Sequence, residues 1–173
     1  MTAPNIALIG FMGTGKTVIG AKLAGKLNKK LLEMDEMIVE KAGKSIPKIF
    51  EEDGEIRFRE LEMQVCKDVS QRKDAVIACG GGVILNKLNI DYLKQSSIVI
   101  RLKTSPEVIF QRTMKEGKES RPLLNKPDPM DEIKKLLTFR EPFYNAATEH
   151  QIDTSDFTVD EVVEKIIEIY KSA

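Results

Sequence analysis

Cysteine is scarce in this sequence, and long apolar runs and an excess of one charge are missing. Cys66 and Cys79 are the only cysteines among 173 residues, too few and too unpatterned for a disulfide framework or a metal knuckle. No run approaches the ~18 consecutive apolar residues of a membrane span. Basic and acidic residues balance at 27 each, so no overall charge attracts nucleic acid or an anionic membrane. We therefore expect a cytoplasmic protein that binds neither.

Hydrophobic residues make up 42% of the chain, enough for one core, and we expect residues 1–173 to form a single domain. Short apolar runs alternate with helical patterns, which predicts an α/β fold whose parallel sheet carries helices on both faces. Thr158 and Glu161 form a capping box that predicts the start of the last helix. The predicted strands are 6–9, 31–34, 76–79, 98–102 and, more weakly, 150–153.

The segment 10–17 reads GFMGTGKT, a glycine-rich turn between the first apolar run and a helical pattern. Its glycines let backbone N–H groups curl around a polyphosphate, while Lys16 reaches the outer phosphates and the Thr17 hydroxyl holds Mg²⁺. The flanking strand and helix argue against an ordinary turn with an accidental lysine. The loop predicts a nucleoside triphosphate ligand. Its predicted nucleotide contacts are Gly13, Thr14, Gly15, Lys16, Thr17 and Val18.

Two carboxylates, Glu33 and Asp35, stand at the end of the second predicted strand. Alternate residues of a strand point to one face, so the two side chains should share an orientation. Such a pair could hold Mg²⁺ through water and accept a proton from a substrate hydroxyl. A polar strand end, with Asp35 capping a helix that begins at Glu36, explains the residues equally well.

Three consecutive glycines, Gly80, Gly81 and Gly82, follow the third predicted strand. They expose backbone amides and permit the close approach of a ligand. A flexible turn is the alternative, although two glycines would suffice for it.

Two arginines suggest an acid-binding site. Arg140 falls on the apolar stripe of a helix near 133–147, where a guanidinium must be paired or meet an anion; Pro142 is expected to interrupt that helix. Arg59 stands four residues after Glu55 and three before Glu62. That spacing fits either a solvated ion-pair face or an arginine fixed by carboxylates so that it can grip an acid.

Residues 115–129 hold one glycine, three prolines and many charges with almost no periodicity. A loop of this length in a compact domain is typical of a mobile lid or of a surface excursion. Phosphoryl transfer requires the exclusion of water, and Arg121 lies within the segment, so a lid is favoured.

Taken together, these motifs resemble shikimate kinase over essentially the whole chain. The resemblance implies a P-loop kinase with a five-stranded parallel sheet, usually a monomer, that uses ATP and Mg²⁺. It also implies phosphorylation of the 3-hydroxyl of shikimate on the way to chorismate and the aromatic amino acids. The matching segments are GFMGTGKT, EMDEMI, GKSIPKIFEEDGEIRFRELE, ACGGGVI, RPLL and REPFY.

The resemblance also implies roles for individual residues. Lys16 contacts the outer phosphates, Asp35 binds the shikimate hydroxyls and is the candidate base, and Arg121 reaches the phosphates when the lid closes; these three are the implied catalytic residues. Arg112 is a weaker match to an adenine-stacking position.

The implied shikimate site lies mainly within residues 33–62. There Arg59 and Arg140 hold the carboxylate, Glu62 orients Arg59, and the glycines supply backbone N–H groups. Aromatic side chains wall the pocket. The implied substrate residues are Asp35, Phe50, Phe58, Arg59, Glu62, Gly80, Gly81, Gly82 and Arg140.

One position departs from the family pattern, which usually has aspartate where this chain has Glu33. The change puts the geometry of a water-mediated Mg²⁺ contact in doubt more than the identity of the reaction. Two rival interpretations remain: a kinase for gluconate or a nucleoside monophosphate, and a nucleotide-binding module without turnover. The paired arginines beside three glycines favour a small carboxylate acceptor, and the intact site argues against a module.

Overall fold

A computed structural model describes residues 4–117, 121–148 and 150–173 and contains one parallel sheet. The strand order is β2-β3-β1-β4-β5, and every neighbouring pair is parallel. The five-stranded parallel sheet predicted from the sequence is therefore confirmed. The strands are β1 (Asn5–Ile9), β2 (Lys30–Glu33), β3 (Ala75–Ala78), β4 (Ser97–Lys103) and β5 (Gln151–Asp153).

Helices connect these strands and cover both faces of the sheet. Two short 3₁₀ turns, Val83–Leu85 and Pro122–Leu124, interrupt the connections. None of the helices within the described ranges is long and apolar enough to cross a membrane. The helices are α1 (Lys16–Leu27), α2 (Met34–Ala42), α3 (Ile46–Glu52), α4 (Gly54–Ser70), α5 (Lys87–Ser96), α6 (Pro106–Glu116), α7 (Pro129–Ala147) and α8 (Val159–Ser172).

The central strand β1 divides the core into two layers because its side chains alternate between faces. Ala7 and Ile9 pack with residues of α2, α4 and α5. Ile6 and Leu8 pack with α1 and α8 on the other face. All five residues of β1 are buried, as expected for a strand covered on both sides.

This layering creates a crevice between the carboxyl ends of β1 and its neighbour β3. The chain leaves β1 toward α1 on one face, whereas the helix that follows β3, α5, packs on the other face. Open parallel sheets bind ligands where neighbouring connections diverge in this way. The phosphate loop and the three glycines both open into this crevice.

Two predictions for the second half of the chain are wrong. Pro142 does not interrupt the helix that carries Arg140, since α7 runs through it to Ala147. Tyr144 and Ala147 beyond the proline are buried, and their packing outweighs the loss of one backbone donor. The irregular segment predicted at 115–129 is also shorter than expected.

That segment is bounded by helices on both sides. α6 extends to Glu116, and α7 already begins at Pro129. Asp128 caps α7 by accepting a hydrogen bond from the backbone N–H of Asp131 at 3.0 Å, and proline suits the first helical position. Residues 118–120 of the predicted lid lie outside the described residues, and its mobility stays a prediction. The capping box of Thr158 and Glu161 is present at the start of α8.

Candidate active site

The phosphate loop follows β1 and leads directly into α1. Gly13 and Gly15 have φ angles of 77° and 94°, a left-handed conformation that glycine adopts without a steric penalty. This path brings Lys16 to the first turn of α1, where the unpaired N–H groups of the helix favour an anion.

Lys16 is folded back onto its own loop. Its Nζ donates hydrogen bonds to the carbonyl oxygens of Gly10 and Phe11 at 2.8 and 2.9 Å. Burial lowers the pKa of Lys16 to about 8, although the carboxylate of Asp35 acts in the opposite direction. The protein alone therefore stabilises the charged form of Lys16 poorly, and a bound phosphate would supply the missing negative charge.

A cavity of about 510 Å³ opens over this loop. The predicted nucleotide residues 13–18 line it together with Arg112 and Arg121. Arg112 also braces the loop, because its Nη1 donates to the carbonyl oxygen of Gly13 at 2.9 Å. Several further lining residues were not identified as site residues from the sequence, among them Thr154, Phe157, Val159 and Val162.

Glu33 and Asp35 both line this cavity, but not for the reason that strand alternation suggests. Glu33 ends β2, whereas Met34 and Asp35 already belong to the first turn of α2. The strand prediction that included Met34 is therefore wrong, and so is the alternative in which Asp35 caps a helix from Glu36. A turn of helix brings the two carboxylates to the cavity.

Glu33 and Thr17 fit a magnesium site. Burial raises the pKa of the Glu33 carboxyl, and an interaction with the Thr17 hydroxyl opposes that rise. The Oε1 atom of Glu33 is buried and has no hydrogen-bond partner among the residues that the structure describes. Mg²⁺ commonly uses one or two protein oxygens and takes its other ligands from water and phosphate. The described ranges contain no cluster of three His, Cys, Asp or Glu ligands.

A second, smaller cavity of about 80 Å³ lies beside the first. Every residue that the resemblance implied for the substrate lines it: Asp35, Phe50, Phe58, Arg59, Glu62, Gly80, Gly81, Gly82 and Arg140. The rings of Phe50 and Phe58 have centroids 4.8 Å apart and form an apolar wall. The fold thus brings together side chains that are distant in the sequence, from helices as far apart as α3 and α7.

Arg59 is held by two carboxylates. Its Nη1 donates to Glu62 Oε1 at 2.9 Å and its Nη2 to Glu55 Oε1 at 3.1 Å. Glu55 is exposed, but Glu62 is only 1% exposed, and burial raises the pKa of its carboxyl against the opposing effect of Arg59. The alternative of a solvated ion-pair face therefore fits the pair with Glu55 but not the pair with Glu62. Glu62 is the buried anchor that orients the guanidinium.

Arg140 also lines the small cavity and is 2% exposed. Its Nη1 donates to the carbonyl oxygen of Gly81 at 3.2 Å. Its Nε is buried without an acceptor anywhere in the described part of the chain, and burial lowers the pKa of the guanidinium. A buried guanidinium with an unused donor favours an anionic ligand.

The two cavities meet along a short seam. Arg121 approaches it from the connection between α6 and α7, and its Nη2 pairs with Glu116 Oε2 at 2.7 Å. A Cβ atom on residue 80 would lie 3.0 Å from Glu62 Oε2 and 3.2 Å from Asp35 Oδ1, so only glycine fits there without displacing a carboxylate. Residues that line both cavities are Met12, Asp35, Gly80, Gly81 and Arg121.

Comparison with known proteins agrees with this geometry. The family model for shikimate kinase matches residues 12–171. A shikimate kinase of Pelotomaculum thermopropionicum is 42% identical, over 96% of this chain and 95% of its own length. Another, from Caldanaerobacter subterraneus subsp. tengcongensis, is 45% identical with the same coverage of both chains.

A solved structure gives the same answer. Shikimate kinase from Acinetobacter baumannii in complex with shikimate superimposes with a TM-score of 0.93 at 38% identity, and the match covers 99% of this chain and 94% of that one. Fold, site geometry and sequence identity agree over nearly the full length. The chain therefore belongs to the shikimate kinase family.

Proposed function

We propose that this protein transfers the γ-phosphoryl group of ATP to the 3-hydroxyl of shikimate, a step toward chorismate and the aromatic amino acids. One observation carries the proposal: the cavity over the phosphate loop and the cavity between two arginines meet at Asp35 and Arg121. A relative that is 38% identical has been solved with shikimate bound. That supports shikimate as the acceptor in the smaller cavity.

The acceptor side of the site binds an acid. Arg59 and Arg140 line the same cavity and would share the carboxylate, which supplies the missing acceptor for Arg140 Nε. Phe50 and Phe58 would contact the carbon ring. Because Glu62 fixes Arg59, that guanidinium loses little conformational freedom when the acid binds.

The donor side binds the phosphates. Lys16, Arg121 and the amides of the loop would neutralise the outer phosphates, where charge spreads over the oxygens during transfer. Asp35 stands at the seam and would orient the 3-hydroxyl and accept its proton. Since both substrates are anions, dividing the cations between the two cavities offsets their repulsion and aligns the reacting groups.

Mg²⁺ would be held by the Thr17 hydroxyl and, through water, by Glu33, where it would neutralise phosphate charge. We further propose that residues 1–173 act as one kinase domain, as a monomer, in the cytoplasm. Closure of the segment around Arg121 would exclude water from the seam.

An acceptor panel tests the function. The purified protein is supplied with ATP, Mg²⁺ and one acceptor at a time, and ADP release is followed in a coupled assay. We expect turnover with shikimate and none with gluconate or nucleoside monophosphates. Turnover with one of the other acceptors, or ATP binding without any shikimate-dependent ADP release, would refute the proposal.

The matched control for this panel is Asp35→Asn, which keeps the size of the side chain but removes its charge. Loss of the catalytic base should lower kcat by about 10²- to 10⁴-fold. Normal turnover in this variant would remove Asp35 from the mechanism.

Replacing Arg59 by alanine should instead raise the shikimate KM about ten- to a hundredfold, because one charge-assisted contact is lost.

A further inference from the structure

One carbonyl group in the site accepts hydrogen bonds from two side chains. The oxygen of Gly81 accepts from Tyr144 Oη at 2.9 Å and from Arg140 Nη1 at 3.2 Å. Gly81 lines both cavities, and a Cβ atom on it would lie 3.2 Å from the backbone nitrogen of Met12 in the phosphate loop. The position of this peptide group therefore affects the acid pocket and its boundary with the phosphate loop.

Tyr144 is placed for this contact by the helix itself. It follows Arg140 by four residues, so the two side chains lie on the same face of α7. Tyr144 is fully buried, and a buried hydroxyl without a partner is costly. Burial also raises the pKa of Tyr144 to about 12, so the hydroxyl remains a donor throughout the neutral range.

The ring of Tyr144 is fixed from behind. The guanidinium carbon of Arg101, on β4, lies 4.3 Å from the ring centroid, which is favourable for a cation–π contact. Arg101 is only 3% exposed and forms two hydrogen bonds with Glu141, at 2.9 and 2.6 Å. This bidentate pair restricts the guanidinium, and the guanidinium restricts the ring.

We propose that Tyr144 is a positioning residue for acid binding. It holds the Gly81 carbonyl where Arg140 Nη1 can also reach it, and that contact orients the guanidinium so that Nε is left for the acid. Without the Tyr144 hydroxyl, the carbonyl has one donor fewer, and Gly81 and Arg140 can shift together. The inference rests on the proposed function, because it assigns the effect to the acceptor and not to ATP.

Tyr144→Phe tests this role by removing one oxygen atom. We expect the shikimate KM to rise about three- to tenfold, the range that follows from losing one hydrogen bond. The ATP KM and kcat should stay within about twofold of wild type, since the phosphates bind beyond the seam. Tyr92→Phe is the control, because Tyr92 lies on α5 and lines neither cavity; its constants should not change.

The melting temperature of both variants separates positioning from simple stability. A purely structural role would lower the melting temperature of Tyr144→Phe and leave the shikimate KM unchanged. That result overturns the proposal, as does an equal rise in both KM values.

If Tyr144→Phe does not fold, Glu141→Gln decides instead. Glu141 is nearly half-exposed, so its replacement weakens the hold on Arg101 while every core side chain keeps its identity. We expect a smaller rise in shikimate KM with unchanged ATP KM, and no rise overturns the proposal. The proposed function itself is tested separately: it is refuted if the wild-type protein shows no shikimate-dependent turnover. The variant-to-wild-type ratios of KM test only the role of Tyr144.

Discussion

Arg121 and Glu116 form an ion pair, with Arg121 Nη2 2.7 Å from Glu116 Oε2, and both residues line the cavity over the phosphate loop. Glu116 is the last residue of α6, where a negative charge opposes the helix dipole. The arginine that we propose for phosphate binding is thus already paired with a carboxylate of the protein. An arriving phosphate must compete with Glu116 for it.

Glu116→Gln should therefore strengthen ATP binding. The pair is partly exposed, and such pairs contribute up to ~1 kcal/mol, so we expect the ATP KM to fall by up to about fivefold. Steady-state kinetics with varied ATP and saturating shikimate measure the change. Glu168→Gln, an exposed carboxylate on α8, is the control. An unchanged or higher ATP KM in Glu116→Gln would contradict the competition.

The lowered pKa of Lys16 predicts how kcat/KM for ATP depends on pH. Its pKa is lowered to about 8, mainly by burial, with Asp35 and Glu33 raising it and Arg121 lowering it further. The protonated form binds phosphate, so kcat/KM for ATP should be constant well below pH 8 and fall tenfold per unit well above it. This profile reports the enzyme form that ATP meets, and it is measured with saturating shikimate between pH 6 and 10.

Lys16→Arg provides the control for that profile. Arginine stays charged over the whole range, so the decline above pH 8 should disappear even if the overall rate is lower. A decline that persists unchanged in Lys16→Arg would assign the titration to another group.

Gly82 and Gly25 form a matched pair of substitutions. A Cβ atom on residue 82 would lie within 2.7 Å of Arg59 Nη2 and closer still to Nη1, whereas nothing lies within 4 Å of a Cβ on residue 25. Gly82 has φ −101°, which alanine tolerates, so Gly82→Ala should fold, displace Arg59 and raise the shikimate KM. Gly25→Ala, within α1, should keep wild-type kinetics and gain up to about 1 kcal/mol of stability. Equal shikimate KM values in the two variants would show that Arg59 does not need its present position.

Glu33 predicts how the protein uses magnesium. Glu33→Asp restores the residue usual in the family, keeps the charge and should retain turnover. Glu33→Ala removes the partly buried carboxylate beside Thr17 and should raise the Mg²⁺ concentration for half-maximal rate while leaving the shikimate KM unchanged. Titrating Mg²⁺ at saturating ATP and shikimate measures this. If Glu33→Ala needs no more Mg²⁺ than wild type, Glu33 has no part in the metal site.

Much of the site could be predicted because its signals are local. The phosphate loop is eight consecutive residues, and the Thr158 cap lies three residues from its partner. The strand geometry predicted for Glu33 and Asp35 was wrong because the buried residue Met34 begins a helix, whereas the apolar pattern predicted that it would continue the strand. Pro142 was misjudged because its own effect on the helix is local, whereas the packing of Tyr144 that offsets it is tertiary.

Other site residues had no local signal. Phe157 lines the cavity over the phosphate loop, although the segment around it carries no motif. Glu116 meets Arg121 five residues further along the chain, a separation at which no helical spacing predicts a contact. Tyr144 could have been suspected, since it follows Arg140 by one helical turn, but its partner Gly81 is 63 residues away.

The sequence by itself determined the alternation of strands and helices, the place of the loop predicted to bind phosphate, and the arginines predicted to bind an anion. These features depend on neighbours in the chain, where spacing and side-chain chemistry act directly. Only the tertiary structure decided that Arg59 and Arg140 face one pocket, that Arg112 braces Gly13 across 99 residues, and that Asp35 stands where two cavities meet. Such contacts follow from the order of strands in the sheet and the packing of helices on its faces, which no local pattern specifies.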